Sequence, residues 1–173
     1  KLISQDSILG KVTGSFTAKG TGYNYKTMRS DIKASVKQLQ YKKYNYQNAL
    51  IAANFNGGII DSQGRINDDN LKMQYDIQAN VQKEYPSING IVRVDTARLQ
   101  QLKLYGDTLN FSLRANIQAN SLRPRNLDVN TLVDSVQMQI RKDFYTMDSL
   151  SLISTSAGGV DNINFNSLFS YLT

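Results

Sequence analysis

Cysteine, histidine and tryptophan are all missing from this chain of 173 residues, and proline occurs only at Pro86 and Pro124. Without cysteine there are no disulfides and no thiolate chemistry, whichever compartment the chain works in. Without cysteine or histidine, a zinc site built on those ligands and a histidine-based triad are both excluded. Any catalysis would have to rest on carboxylates, lysine, tyrosine or serine. No run of about 18 apolar residues is present, so no segment reads as a membrane-spanning helix. Charge is never concentrated either. Twenty basic and fourteen acidic residues give a net charge of +6, and they are scattered singly rather than in blocks. Such a surface points to solubility before it points to nucleic acid or anionic lipid. The chain opens on Lys1 with no signal-peptide pattern, and reads as part of a longer or processed protein.

What the chain does have is alternation. From Leu71 the odd positions read Leu71, Met73, Tyr75, Ile77, Ala79 and Val81, with Lys72, Gln74, Asp76, Gln78, Asn80 and Gln82 between them. Leu109, Phe111, Leu113, Ala115, Ile117 and Ala119 repeat the pattern against Asn110, Ser112, Arg114, Asn116, Gln118 and Asn120. Side chains alternate faces along a strand, so each segment builds one apolar and one polar face. The polar face is rich in Gln and Asn.

The rest of the chain yields further strands separated by turn signals. Ile8 to Lys19 carries Val12, Phe16 and Ala18 on one face. Met28 to Tyr41 fits both a strand (Ile32, Ala34, Val36) and a helix face (Met28, Ile32, Val36, Leu39). Strand is favoured because the β neighbours on both sides need a partner. Lys42-Lys43 and Gly57-Gly58 read as tight hairpins around Tyr46 to Phe55. Ile60 to Ile66 is a thinner strand, and Asn67 to Asn70 turns into the first long one. Tyr85-Pro86 opens a strand with Ile88, Gly90, Val92 and Val94. Ala97 to Leu104 reads as a short helical or irregular corner. Arg123-Pro124-Arg125 ends the second long strand, and Asn126 to Val133 reads as a connection of one or two helical turns. Val136 to Ile140 and Leu150 to Leu152 are paired strands around Arg141-Lys142-Asp143. Ser154 to Gly159 reads as a loop, and Ile163 and Phe165 belong to a last strand.

The expected fold class is therefore all-β: an antiparallel meander over residues 1–173, a single segment, with short helical corners. An open sheet with one apolar face needs a covering layer. No long helix is on offer, so the sheet is expected to curl into a barrel, a sandwich or a half-open trough. The apolar side chains of the two long strands would contribute roughly 1.5–3 kcal/mol each if fully covered. Alternation alone leaves a closed core and an open groove equally available.

The run from Tyr44 to Ile60 (YNYQNALIAANFNGGII), followed by Asp69-Asn70-Leu71 and its long strand, resembles periplasmic AsmA/TamB-type proteins, in particular the large Bacteroidota members. So does the later order Ala97-Arg98-Leu99, Leu102-Lys103-Leu104, Leu109 to Asn120, and Tyr145 to Leu152. The resemblance covers about Gly14 to Gly159. It departs at Asp68-Asp69-Asn70-Leu71, where relatives often carry Asp-Pro-Asn-Leu, and the family's membrane anchor and terminal signature segments are not in the chain. The resemblance implies a half-barrel or taco-like β groove with an apolar interior. It places the protein in the periplasm or cell envelope of a Gram-negative bacterium, in a parent protein anchored to the inner membrane. The client would be a phospholipid or an outer-membrane protein, with an outer-membrane partner protein and with membrane contact through other parts of the parent chain. The groove is then expected to be lined by Leu71, Met73, Tyr75, Ile77, Val92, Val94, Leu109, Phe111, Leu113 and Ile117. Neither an enzymatic activity nor a cofactor nor a metal is expected, and the alternative is a scaffold that pairs its edge strands with a partner.

Other features read more simply. Asp68-Asp69 lacks the further oxygen ligands that calcium requires, and reads as a turn. Tyr41-Lys42-Lys43-Tyr44, with Tyr23, Tyr25 and Tyr46, makes a tyrosine-rich corner. It suits lipid headgroups better than nucleic acid, for which no signature is present. Gly10, Gly14, Gly20 and Gly22 have no following Gly-Lys-Ser/Thr and read as bulges and turns.

Overall fold

The computed structural model describes residues 9–82, 84–123, 126–157 and 160–172. Ile8, Pro124-Arg125 and Gly158-Gly159, which the sequence assigns to a strand start, a strand end and a loop, lie outside the described residues. Ten strands follow in order: β1 (Leu9–Thr21), β2 (Arg29–Tyr41), β3 (Tyr44–Asn56), β4 (Ile59–Asn67) and β5 (Leu71–Asn80), then β6 (Ser87–Arg98), β7 (Leu109–Arg123), β8 (Asn126–Ile140), β9 (Asp143–Ala157) and β10 (Val160–Leu172). All are antiparallel and lie in one sheet in sequence order, so β1 and β10 are the edges of the described sheet. Each hairpin brings the next apolar-alternating segment beside the last, which is why a chain of such segments makes a meander.

Register aligns the alternation from strand to strand. One row of the apolar face runs Ala18, Ile32, Ala53, Ser62, Ile77, Gly90, Ile117, Thr131, Leu152, Phe165 across all ten strands. Met28 to Tyr41 is strand, paired from Arg29 to Tyr41 with β3. The β2–β3 hairpin turns at Lys42-Lys43, both with left-handed backbone (φ 46° and 65°), and the β3–β4 hairpin turns at Gly57-Gly58 (φ 56° and 83°). These are the conformations that two-residue hairpins need to match the twist of their strands.

The short helical corners are not present; the described residues contain no helix. Asn126 to Val133 is instead the first half of β8, paired with β7 from Leu122↔Leu127 to Ala115↔Val133. Leu127, Val129, Thr131 and Val133 alternate with Asn126, Asp128, Asn130 and Leu132, a period of two that a helix cannot bury on one side. The other corner extends β6 to Arg98 and then makes hydrogen-bonded turns. Leu102 N donates to Arg98 O (3.0 Å) and Leu104 N to Leu99 O (2.9 Å), which tucks Leu102 completely out of solvent. Ser154 to Ala157, read as a loop, continues β9 opposite Ile163 to Val160.

Among the described residues no second layer lies on the apolar face, since every described strand belongs to the same sheet. What burial there is comes from neighbours within the layer. Ala97, Ala115 and Ala119 are buried because they are short residues between taller ones, whereas Phe16 is 69% exposed and Phe165 64%.

Candidate functional site

The ten residues expected to line a groove stand on β5, β6 and β7. Register brings most of them into contact rows: Met73 beside Val94 and Val94 beside Leu113, Tyr75 beside Val92, and Ile77 and Ile117 on either side of Gly90. Leu71 and Phe111 flank Ala97, while Leu109 pairs with Ile140 at the margin. All ten therefore share the apolar face. Of them, Val94 is buried and the rest are half-buried.

A large concavity lies on the opposite, polar face. It holds about 960 Å³ and extends from Ser15 and Thr17 on β1 to Leu132 and Asp134 on β8. Two register rows make its floor and walls. In the first, Ser35, Leu50, Arg65, Gln74, Arg93, Arg114 and Asp134 stand side by side. In the second, Lys33, Ala52, Gln63, Asp76, Ile91, Asn116 and Leu132 do so. Of the ten sequence-selected residues, Tyr75 alone borders this trough. Its ring lies on the apolar side against Gly64. Four cationic side chains (Lys33, Arg65, Arg93, Arg114) face two carboxylates there (Asp76, Asp134). Leu50, Ile91 and Leu132 add exposed apolar surface among them. Two smaller hollows open on the same face, one of about 430 Å³ at Lys37, Lys72 and Asp95 and one of about 530 Å³ at Arg98, Asn110 and Phe144.

Sequence reading missed Arg65, Arg93 and Arg114 as a group because each is a lone charge on its own strand. The signal was available only through register: in a meander, residues equidistant from a turn become neighbours.

The tyrosine corner is divided. Tyr41, Tyr44 and Tyr46 gather beside the Lys42-Lys43 hairpin, with Tyr44 edge-on to Tyr46 at 4.8 Å between centroids. Tyr23 and Tyr25 lie in the β1–β2 connection, at the far end of β2. They do not join the group, since the 13-residue strand separates them by about 40 Å at roughly 3.3 Å per residue. Asp68 is the anchor of the Tyr44 cluster. It is 3% exposed, and its carboxylate accepts from Tyr44 Oη (2.5 Å), Gln47 N (3.0 Å) and Asn70 N (2.9 Å). Burial and then the Asp68 hydrogen bond push the Tyr44 hydroxyl up to about 12, and burial also raises that of Tyr46. A tyrosine so held stays a neutral donor and is unsuited to proton abstraction near neutrality. Asp68 thus pins the β4–β5 hairpin to the start of β3, a structural role larger than a turn.

Among the described residues, no group of three or more acidic side chains is gathered as a metal site, and no helix is long and apolar enough to cross a membrane. The chain matches no family model, no curated protein and no solved structure.

Proposed function

We propose that the protein is a non-enzymatic lipid-handling segment of the AsmA/TamB type, working in the periplasm between the two membranes of a Gram-negative envelope. In this reading the sheet, open here over ten strands, closes around its cargo into a half-barrel, a taco-like groove with the apolar face inward. Acyl chains slide over Leu71, Met73, Tyr75, Ile77, Val92, Val94, Leu109, Phe111, Leu113 and Ile117. The observation that carries this reading is the predominantly apolar face that runs over ten strands with no covering layer among the described residues, with Phe16 and Phe165 open to solvent. Exposed apolar surface on that scale marks a binding face. Many equivalent weak positions, and no convergent polar group, suit passage better than retention.

Organic extraction and mass spectrometry of the detergent-free protein test this. Stoichiometric phospholipid is expected, and it should fall away in Phe16→Ser and Phe165→Ser. Both positions are exposed, so the sheet survives these changes. Lipid-free wild-type protein, stable and monomeric, would overturn the proposal. The second reading, a scaffold for outer-membrane protein assembly, is favoured by the two edges of the described sheet, β1 and β10, each of 13 residues. Such edges are templates for a partner's strand. Proline at Asn164 of β10 would abolish client capture in that case and leave lipid content unchanged.

A further inference from the structure

The polar trough contains a pairing that a sheet ordinarily avoids. Arg93 on β6 and Arg114 on β7 are direct register partners. That places their Cα atoms about 4.5–5.5 Å apart with side chains on one face, an arrangement that like charges destabilise. Arg65 stands in the same row two strands away, with Gln74 between it and Arg93.

The compensation on hand is incomplete. Asp95 takes the Nε of Arg93 at 2.6 Å, which leaves the outer guanidinium donors of Arg93 without a partner among the described residues. Asp134 is the register partner of Arg114, yet makes no ion pair with it. Its carboxylate instead accepts from Ser135 Oγ at 2.8 Å. The cause is local: the β7–β8 ladder slips between Ser112 and Arg114, and Ser135 takes a left-handed backbone (φ 55°). Bulges of this kind re-aim side chains. Among the described residues, the guanidinium groups of Arg65 and Arg114 have neither a hydrogen bond nor an ion pair. Two guanidiniums side by side with free donors match the several acceptor oxygens of one phosphate or carboxylate.

The adjacent row supplies a second chemistry. Ile91, two residues before Arg93, is 51% exposed, and Leu132, two residues before Asp134, is 41% exposed; Asn116 is the register neighbour of both. Both side chains line the trough, so an apolar wall stands beside the arginine row.

We propose that this trough binds an anionic amphiphile, with its phosphate or carboxylate head held between Arg93 and Arg114 and its first methylenes over Ile91 and Leu132. Charge complementarity selects the head, and the apolar pair distinguishes an amphiphile from a free oxoanion. The site lies on the face opposite the proposed acyl path and does not depend on it.

Titration calorimetry of the whole protein with monomeric dodecyl phosphate tests the proposal, with inorganic phosphate and dodecyl maltoside as comparison probes. Saturable binding of dodecyl phosphate is expected, weakened by salt. Arg114→Gln and Arg93→Gln should each lower affinity at least tenfold, and Arg114→Lys should restore part of it. Arg114→Gln should leave the thermal midpoint unchanged or raise it, since it relieves a like-charge pair. Ile91→Ser and Leu132→Ser should weaken dodecyl phosphate alone. Lys142→Gln, at the β8–β9 turn, should change nothing. Equal affinity for inorganic phosphate, or equal binding of dodecyl maltoside, would overturn the amphiphile assignment. Undiminished dodecyl phosphate binding in folded Arg93→Gln and Arg114→Gln would overturn the site. Phe16→Ser and Phe165→Ser, on the other face, should leave this binding intact, so the two proposals fail separately.

Discussion

The ring of Tyr75 covers the bare α-carbon of Gly64, its direct cross-strand partner on β4. A methyl group built on Gly64 would meet Cζ at 2.8 Å and Oη at 2.9 Å, and Tyr75 Oη is in turn 3.2 Å from Ser62 Oγ. A glycine inside a strand loses packing and gains backbone entropy on unfolding, and an aromatic partner laid across it recovers part of both. Gly64→Ala should therefore destabilise by about 1–3 kcal/mol, the usual range for overpacking. In a Tyr75→Ala background the same change should cost almost nothing, because the colliding ring is gone. Urea unfolding of the four proteins measures the coupling. An equal cost in both backgrounds would mean that the glycine is required by its backbone and not by the ring.

Alkaline stability should follow Tyr44. Its hydroxyl is pushed up to about 12, by burial first and by the Asp68 hydrogen bond second. The unfolded phenol ionises near 10. A group whose folded value is raised stabilises the fold fully below its unfolded value and loses that contribution as pH rises through the folded one. The loss should fall between about pH 10 and 12, with a contribution from Tyr46, which burial shifts the same way. Tyr44→Phe should cost about 1.5–3 kcal/mol at pH 7, since it removes a hydrogen bond to a buried carboxylate. It should also flatten the alkaline loss. Unfolding curves at pH 8, 10 and 11.5 check both, and an undiminished slope in the variant would assign the effect elsewhere.

The β2–β3 hairpin should be improvable. Lys42 and Lys43 both sit in the left-handed region, which costs residues with a Cβ about 1–2 kcal/mol. Asn-Gly is the pair that suits this turn. Lys42→Asn with Lys43→Gly should stabilise the protein by about 1 kcal/mol, measured by thermal denaturation, even though it removes the Lys42 Nζ that lies 5.7 Å over the Tyr41 ring. A fall in midpoint would show that the lysines make compensating contacts at the tip.

The strands were legible wherever an alternating run met a two-residue turn. β5 and β7 announce themselves from Leu71 and Leu109, and the turns at Lys42-Lys43 and Gly57-Gly58 set the registers of β2–β3 and β3–β4. The first half of β8 was hidden, although Val136 to Ile140 was legible as strand, because Leu132 and Ser135 interrupt the polar and apolar alternation just where the bulge lies. The trough was hidden for a different reason. Arg65, Arg93 and Arg114 are separated by long stretches of chain, and only the summed registers of β4 to β7 put them in one row. Local pattern shows which face a residue takes, whereas cross-strand company depends on every turn length in between.

The corner between β6 and β7 offers a test of core against surface. Leu102 is fully buried, held under a turn by the Arg98 and Leu99 carbonyls. Across the same corner, Asp107 pairs with Arg141 at 2.5 Å, and Arg141 N donates to Thr108 O at 2.9 Å. The Arg141 hydrogen bond, helped by the Thr108 amide, holds the Asp107 carboxyl below its usual range. Its contribution is therefore complete above the unfolded carboxylate value and is lost as pH falls through the lower folded one. Both charges are solvated, so this contribution is screened. Leu102→Ala should cost about 2–5 kcal/mol, since it empties a sealed site. Asp107→Asn should cost far less, and should remove only an acid-side slope that 0.5 M salt also removes. Urea unfolding at pH 7 and pH 3.5 separates the two contributions. If Asp107→Asn proved the costlier change, the corner would be held by its ion pair and Leu102 would be only a lid over it.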